Sequence, residues 1–85
     1  MKRINLVYDE YYADADVLLV PDWVFEQSIH LTGQYSDWLV VQGRTDMETK
    51  GFVEWLNNQI DSVEEKVRIL AQHVSVSETE PSIDL

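Results

Sequence analysis

The sequence contains no cysteine, and this absence limits how a chain of 85 residues can be held in a folded state. Disulfide frameworks, cysteine zinc sites and thiol catalysis are excluded. A chain of this length has room for one compact core, because the buried fraction of surface falls as chains shorten. Apolar residues make up 45% of the chain and must supply that core. We therefore expect a single compact domain over residues 1–74.

Two short apolar segments near the N-terminus are typical of β-strands. Residues 3–8 alternate between apolar and polar side chains, and residues 16–20 form a second run rich in valine and leucine. The segment between them has no glycine but contains aspartates, which tolerate turns. The pattern predicts an antiparallel β-hairpin that needs helices packed on one face.

Helical spacing of apolar residues predicts three helices after the hairpin. The first begins at about residue 22 and ends at about residue 42, with a kink or break at Gly33 and a stop at Gly43. Capping-box patterns that begin at Thr45 and Ser62 predict the second and third helices. Residues 75–85 are polar and acidic, and predict a disordered tail. The predicted fold class is α+β, an N-terminal β-hairpin followed by three α-helices packed on one core.

Catalytic and metal-binding patterns are missing from the sequence. The two histidines, His30 and His73, are not part of a His-x-x-x-His pattern, and no Gly-x-Ser-x-Gly or phosphate-binding glycine loop occurs. Carboxylates cluster at Asp9 and at Asp14, but counting an EF-hand loop from either residue fails at its glycine and glutamate positions. We expect a protein that is not an enzyme and has no metal and no cofactor.

The net charge of −10 is the strongest indication of what the chain binds. Lysine and arginine supply most of the affinity of proteins for nucleic acids, so a chain this acidic is repelled by DNA, RNA and anionic membranes. The charge favours a protein partner with a basic surface. The alternative is that the acidity only keeps the protein soluble.

The segment from Tyr8 to Asp16 has the composition of a binding surface. Its tyrosines offer large contact area, and its acids would steer the approach of a basic partner. The alternative is that the tyrosines close the core while the acids are only solvated. Trp38 and Trp55 are predicted to be core residues, whereas Trp23 either packs on the hairpin or lies exposed as an interface anchor. The partner-binding residues predicted from the sequence are Asp9, Glu10, Tyr11, Tyr12, Asp14, Asp16, Asp22, Trp23 and Glu26.

No apolar run approaches the ~20 residues that a membrane-spanning helix requires. The basic residues Lys2 and Arg3 are followed by an apolar run that is too short for a signal peptide. We therefore expect a cytoplasmic protein.

Four short motifs carry a resemblance that extends over most of residues 3–70. They are Ile4-Asn5-Leu6-Val7-Tyr8-Asp9, Val20-Pro21-Asp22, Asp37-Trp38-Leu39 and Phe52-Val53-Glu54-Trp55-Leu56-Asn57. In these the chain resembles small uncharacterised acidic proteins of Gram-positive bacteria and their phages or mobile elements. The resemblance implies a setting in which small acidic proteins block host defence enzymes by occupying a nucleic-acid channel.

Together these observations give one leading hypothesis, one alternative and a third possibility, which is a regulatory metal-binding domain whose melting temperature calcium would raise. The leading hypothesis is a non-catalytic acidic module that occupies the basic site of a protein partner, which in the sharper form is a nucleic-acid-binding host enzyme. The alternative is a structural or housekeeping protein that self-associates, as a homodimer that buries Trp23 and spare helix surface.

Overall fold

A computed structural model describes residues 1–8 and 14–85 of the chain. The helices lie in the middle of the sequence, with two strands before them and two after them. The elements are β1 (Lys2–Val7), β2 (Asp14–Val20), α1 (Asp22–Glu26), α2 (Ser28–Val41), α3 (Thr49–Asn57), a 3-10 turn (Val63–Glu65), β3 (Arg68–Ser75) and β4 (Ser82–Asp84).

The four strands form one mixed sheet in the order β3-β2-β1-β4. β1 and β3 both run antiparallel to β2, and β4 runs parallel to β1. Since β3 and β4 are at opposite edges, the segment that joins them must cross the sheet. Asn5 shows which face it crosses, because the Asn5 amide group donates to the carbonyl oxygens of Ser77 (2.8 Å) and Glu80 (3.2 Å).

The helices cover the other face of the sheet. Side chains alternate along a strand, so Ile4 and Leu6 point away from the face that carries Asn5. They lie in a core to which the helices contribute residues at helical spacing, such as Leu31, Tyr35 and Leu39 of α2. The buried core residues are Ile4, Leu6, Leu18, Val20, Val24, Leu31, Tyr35, Leu39, Phe52, Val53, Leu56, Ile60, Val67 and Ile83.

The α+β class is correct, but the prediction of a hairpin followed by three helices is wrong. The residues predicted as the third helix form the 3-10 turn and β3 instead. Val67, Ile69 and Ala71 alternate with polar or less buried residues at a period of two, and β-branched residues favour strands over helices. Further along, in the segment predicted to be a disordered tail, residues 82–84 form β4 and Ile83 is buried.

The predicted first helix is divided in two. The division is at Gln27 (φ −102°, ψ 18°), while Gly33 lies inside α2. The stop at Gly43 is confirmed, because this residue has φ +70°. Its N–H donates to the carbonyl of Val40 (3.0 Å) and that of Arg44 donates to Leu39 (2.8 Å), which is a Schellman motif.

Within residues 1–8 and 14–85, no helix combines the length and the hydropathy needed to cross a bilayer.

Candidate binding site

A cleft of about 730 Å³ opens between the sheet and the beginning of α3. A second cavity of about 290 Å³ shares Tyr8, Asp16 and His73 with it and extends to Asp14 and Ala15. The cleft is lined by Tyr8, Asp16, Thr45, Met47, Glu48, Thr49, Lys50, Gln72, His73 and Leu85.

Asp16 is a buried acid in this cleft. It shares a strand face with Leu18 and Val20, so its side chain points toward the helices, and only 6% of the residue is exposed. A buried carboxylate needs hydrogen-bond donors. One oxygen of Asp16 accepts the hydroxyl of Thr49, the first residue of α3, and the other accepts the backbone N–H of His73 (3.0 Å). The carboxylate therefore ties β2 to both α3 and β3.

A β-bulge supplies the second of these donors. Gln72 and His73 of β3 lie opposite the single residue Asp16 of β2. His73 has φ +54°, a conformation that residues other than glycine adopt at a cost of about 1–2 kcal/mol. The hydrogen bond from its N–H to Asp16 compensates for part of this strain. The bulge therefore places the exposed His73 side chain at the wall of the cleft.

A chain of two hydrogen bonds runs from the Tyr8 hydroxyl through the Thr49 hydroxyl to the Asp16 carboxylate. The Tyr8 and Thr49 hydroxyl oxygens are 2.5 Å apart. Threonine has a single hydroxyl hydrogen and donates it to Asp16, so the Tyr8 hydroxyl must donate to Thr49. Burial raises the pKa of Tyr8 and the charge of Asp16 raises it further, although the Thr49 hydrogen bond opposes them. Tyr8 therefore remains a neutral hydrogen-bond donor at neutral pH.

The lining of the cleft carries side chains of both charges. A carboxylate has about four lone-pair positions and Asp16 uses two of them for the contacts above. The exposed Glu48 of the cleft and Asp14 of the adjoining cavity add negative charge, and the exposed Lys50 of the cleft adds one positive charge. The one imidazole of the described lining, His73, contacts Asp16 through its backbone and not through its ring. In the described ranges, no three His, Asp or Glu side chains converge as metal ligands would.

The predicted binding residues are divided between two places. Asp16 lies with Tyr8 in the cleft, and Asp14 lies in the adjoining smaller cavity. Asp9, Glu10, Tyr11 and Tyr12 are outside the described residues. Asp22 lies beyond the other end of β2, a strand that spans about 20 Å from Asp14 to Val20. Trp23 is half-buried against the core and Glu26 is exposed beside that same end. The structure therefore does not join all of these residues into one surface.

The sequence prediction missed the contributions of Thr49, Glu48 and His73 to the cleft. The sequence pattern places Glu48 in the capping box of the second predicted helix and gives Thr49 no role, and it places His73 in a third helix that the structure does not contain. One signal was available, because Asp16 shares the strand period of Leu18 and Val20 and a buried acid requires donors from elsewhere.

A second groove of about 540 Å³ lies between α2 and α3. Trp38 was predicted to be a core residue, yet 38% of it is exposed, and Trp55 is only partly buried. Both rings pack on Tyr35, with ring centroids 6.0 Å apart for Trp38 and 5.5 Å apart for Trp55. The groove is lined by Gln34, Asp37, Trp38, Trp55, Asn58 and Gln59.

Comparison with known proteins gives no match for this chain, whether among protein-family models, curated proteins or solved structures.

Proposed function

We propose that this chain is a non-catalytic acidic module that binds a protein partner with a basic surface, in the cytoplasm. The observation that carries the proposal is that most of the exposed carboxylates are not neutralised within the described chain. Ion pairs there involve only Asp22, Asp46 and Glu80 among the acids. The exposed acids outside these pairs are Asp14, Glu26, Asp37, Glu48, Glu54, Asp61, Glu64, Glu65, Glu78 and Asp84.

The cleft at Asp16 is the proposed binding site for a basic side chain of the partner. Its floor offers a carboxylate that is already held by two donors, so little reorganisation is needed when a cation enters. Met47 and Leu85 give the lining apolar surface against which the stem of a lysine or an arginine can pack. Asp14 and Glu48, which are exposed, would attract the approaching cation. Together with Asp16 they outnumber the one lysine of the lining, Lys50.

In the sharper form of this proposal, the partner is a nucleic-acid-binding enzyme and the effect is competitive inhibition. Such enzymes bind phosphates through lysine and arginine, and an acidic protein can occupy the same surface. The resemblance to small acidic proteins of phages and mobile elements supports this form by analogy.

Charge reversal at the rim of the cleft tests the proposal. We expect D14K/E48K to recover much less of a basic partner from a host lysate than the original chain does, and to bind the purified partner about tenfold more weakly or worse, because two exposed attractions become repulsions. The matched control is D61K/E78K, which makes the same charge change at exposed residues that do not line the cleft.

Calorimetric titration at low and high salt measures the affinity of both variants for the purified partner. Equal affinities of the two variants would contradict the role of the cleft.

A self-associating module is the second candidate. It is favoured by exposed apolar side chains at both ends of α2, where Ile29 is 89% exposed at the beginning and Val40 and Val41 are also exposed at the end. High salt separates the two candidates, because screening weakens an acidic complex and leaves a hydrophobic homodimer intact.

A further inference from the structure

The α2–α3 groove holds its two indole rings in fixed positions. Tyr35 is fully buried and lies between them, nearly parallel to Trp38 (17°) and tilted against Trp55 (50°). Phe52 stacks on Trp55 from within the core, with ring centroids 6.2 Å apart. One side of each indole is therefore covered by other aromatic rings, and the remaining surface lines the groove. Rings that are ordered in advance lose little entropy when a ligand stacks on them.

The polar groups of the groove are rich in acceptors. Asp37 contributes an exposed carboxylate. The side-chain nitrogen of Gln34 contacts His30 (3.1 Å) and that of Gln59 donates to the carbonyl of Trp55 (3.2 Å). Both amide groups thus have their carbonyl oxygens left to accept hydrogen bonds from a ligand.

No lysine, arginine or histidine of the described chain lines this groove, and the nearest imidazole shown is that of His30, which contacts Gln34 of the lining. Lys2 lies over the ring of Phe25, 5.0 Å from its centroid, and Arg44 is paired with Asp46. The ammonium group of Lys66 donates to the carbonyl oxygens of Asn57 and Ile60. The groove therefore combines aromatic surface, acceptors and one negative charge with no positive charge of its own.

We propose that this groove binds an arginine side chain of a partner protein, with the guanidinium group stacked on Trp38 and paired with the carboxylate of Asp37. This inference rests on the proposed function, since it takes the partner to be basic, and it adds a second anchoring point away from the cleft. Arginine fits better than lysine because its planar group stacks on aromatic rings, is weakly hydrated and presents five N–H donors.

An NMR titration of the full chain with two short peptides tests this site without any partner. The probes are acetyl-Gly-Arg-Gly-amide and the same peptide with lysine, and the readout is the indole N–H resonances of the three tryptophans. We expect the arginine peptide to shift the Trp38 and Trp55 resonances saturably and the lysine peptide to bind several-fold more weakly. Trp23 is an internal control, because it packs on the core and does not line the groove.

A pair of single-charge variants identifies the carboxylate. D37N should weaken binding of the arginine peptide by about threefold, the effect expected from loss of one exposed ion pair. E54Q removes the same charge from α3 outside the groove and should leave the affinity unchanged. Equal shifts at all three indoles, equal affinity for both peptides, or equal effects of the two variants would overturn the assignment.

The two proposals fail in different experiments. If the peptide titration gives the expected shifts while D14K/E48K binds the partner normally, the cleft assignment fails and the groove assignment stands. If the cleft variant loses the partner but the arginine peptide leaves the indoles unshifted, only the groove assignment fails.

Discussion

The buried hydroxyl group of Tyr35 restricts the size of the side chain at position 51 of α3. The side chain is fully buried, and its hydroxyl has no hydrogen-bond partner among the described residues. A Cβ atom added at Gly51 of α3 would lie 2.5 Å from that oxygen. Glycine inside a helix costs about 1 kcal/mol relative to alanine. Here it permits the close approach of α3 to the Tyr35 ring.

We expect G51A to lower the free energy of unfolding by about 1–3 kcal/mol, because the new methyl group overlaps the Tyr35 hydroxyl. Y35F removes that oxygen, so Y35F/G51A should recover most of the loss. Y35F alone should be neutral or stabilising, since it removes a buried group without a partner. Urea unfolding of the three variants measures this cycle. If G51A instead stabilises the protein, as helix propensity alone would predict, the contact does not constrain α3.

Among the elements, β3 and β4 are the ones that sequence patterns could not identify. The strands of the hairpin are predicted at 3–8 and 16–20 and are found at 2–7 and 14–20, because short apolar runs rich in β-branched residues on either side of a turn-prone segment are typical of strands. The run from Val67 to Val74 fits both a helical and a strand period, and only its position beside β2 decides between them. β4 has three residues, too few for any period, and it forms because β1 offers an open edge.

The candidate sites were predictable only in part, because a sequence pattern shows residues that are close along the chain and not residues that the fold brings together. Asp14 and Asp16 could be predicted as binding residues because the segment between the hairpin strands is rich in acids. Thr49 and His73 join them only through tertiary contacts, across 33 and 57 positions of sequence. The exposure of Trp38 could not be predicted either, because its helical spacing is that of a core residue and only the packing of α2 and α3 in three dimensions leaves it at a groove.

Ile83 tests whether β4 contributes to folding. We expect I83A to lower the free energy of unfolding by about 2–4 kcal/mol, the range for loss of a buried aliphatic side chain. E78A, which changes an exposed residue of the segment between β3 and β4, should have little effect. Thermal and urea unfolding measure both variants. A disordered tail would make the two substitutions equally harmless.

On the scale of the whole molecule, the excess of carboxylates works against the folded state. Exposed like charges repel one another more strongly in a compact chain than in an extended one. Salt screens this repulsion, with a Debye length of about 10 Å at 0.1 M. The same ions weaken attraction to a basic partner, so salt acts in opposite directions on stability and on binding.

We therefore expect moderate sodium chloride to raise the melting temperature of the free protein at neutral pH. The control is the same salt series near the isoelectric point of about 4.3, where the net charge is small and the increase should largely disappear. Differential scanning calorimetry measures both series. A melting temperature that falls with salt at neutral pH would mean that internal attractions dominate. It would also mean that loss of a complex in high salt could arise from unfolding.

The β3–β4 segment crosses the sheet late in folding. Asn5 and Ser77, which that segment brings together, are 72 positions apart, so their contact closes a very long loop. Such contacts form late, because the entropy of loop closure must be overcome before they contribute stability. Until then β1 has one neighbour, β2, and presents an open edge to any other extended chain. The period before β4 docks is therefore the time when this chain is most exposed to misfolding and aggregation.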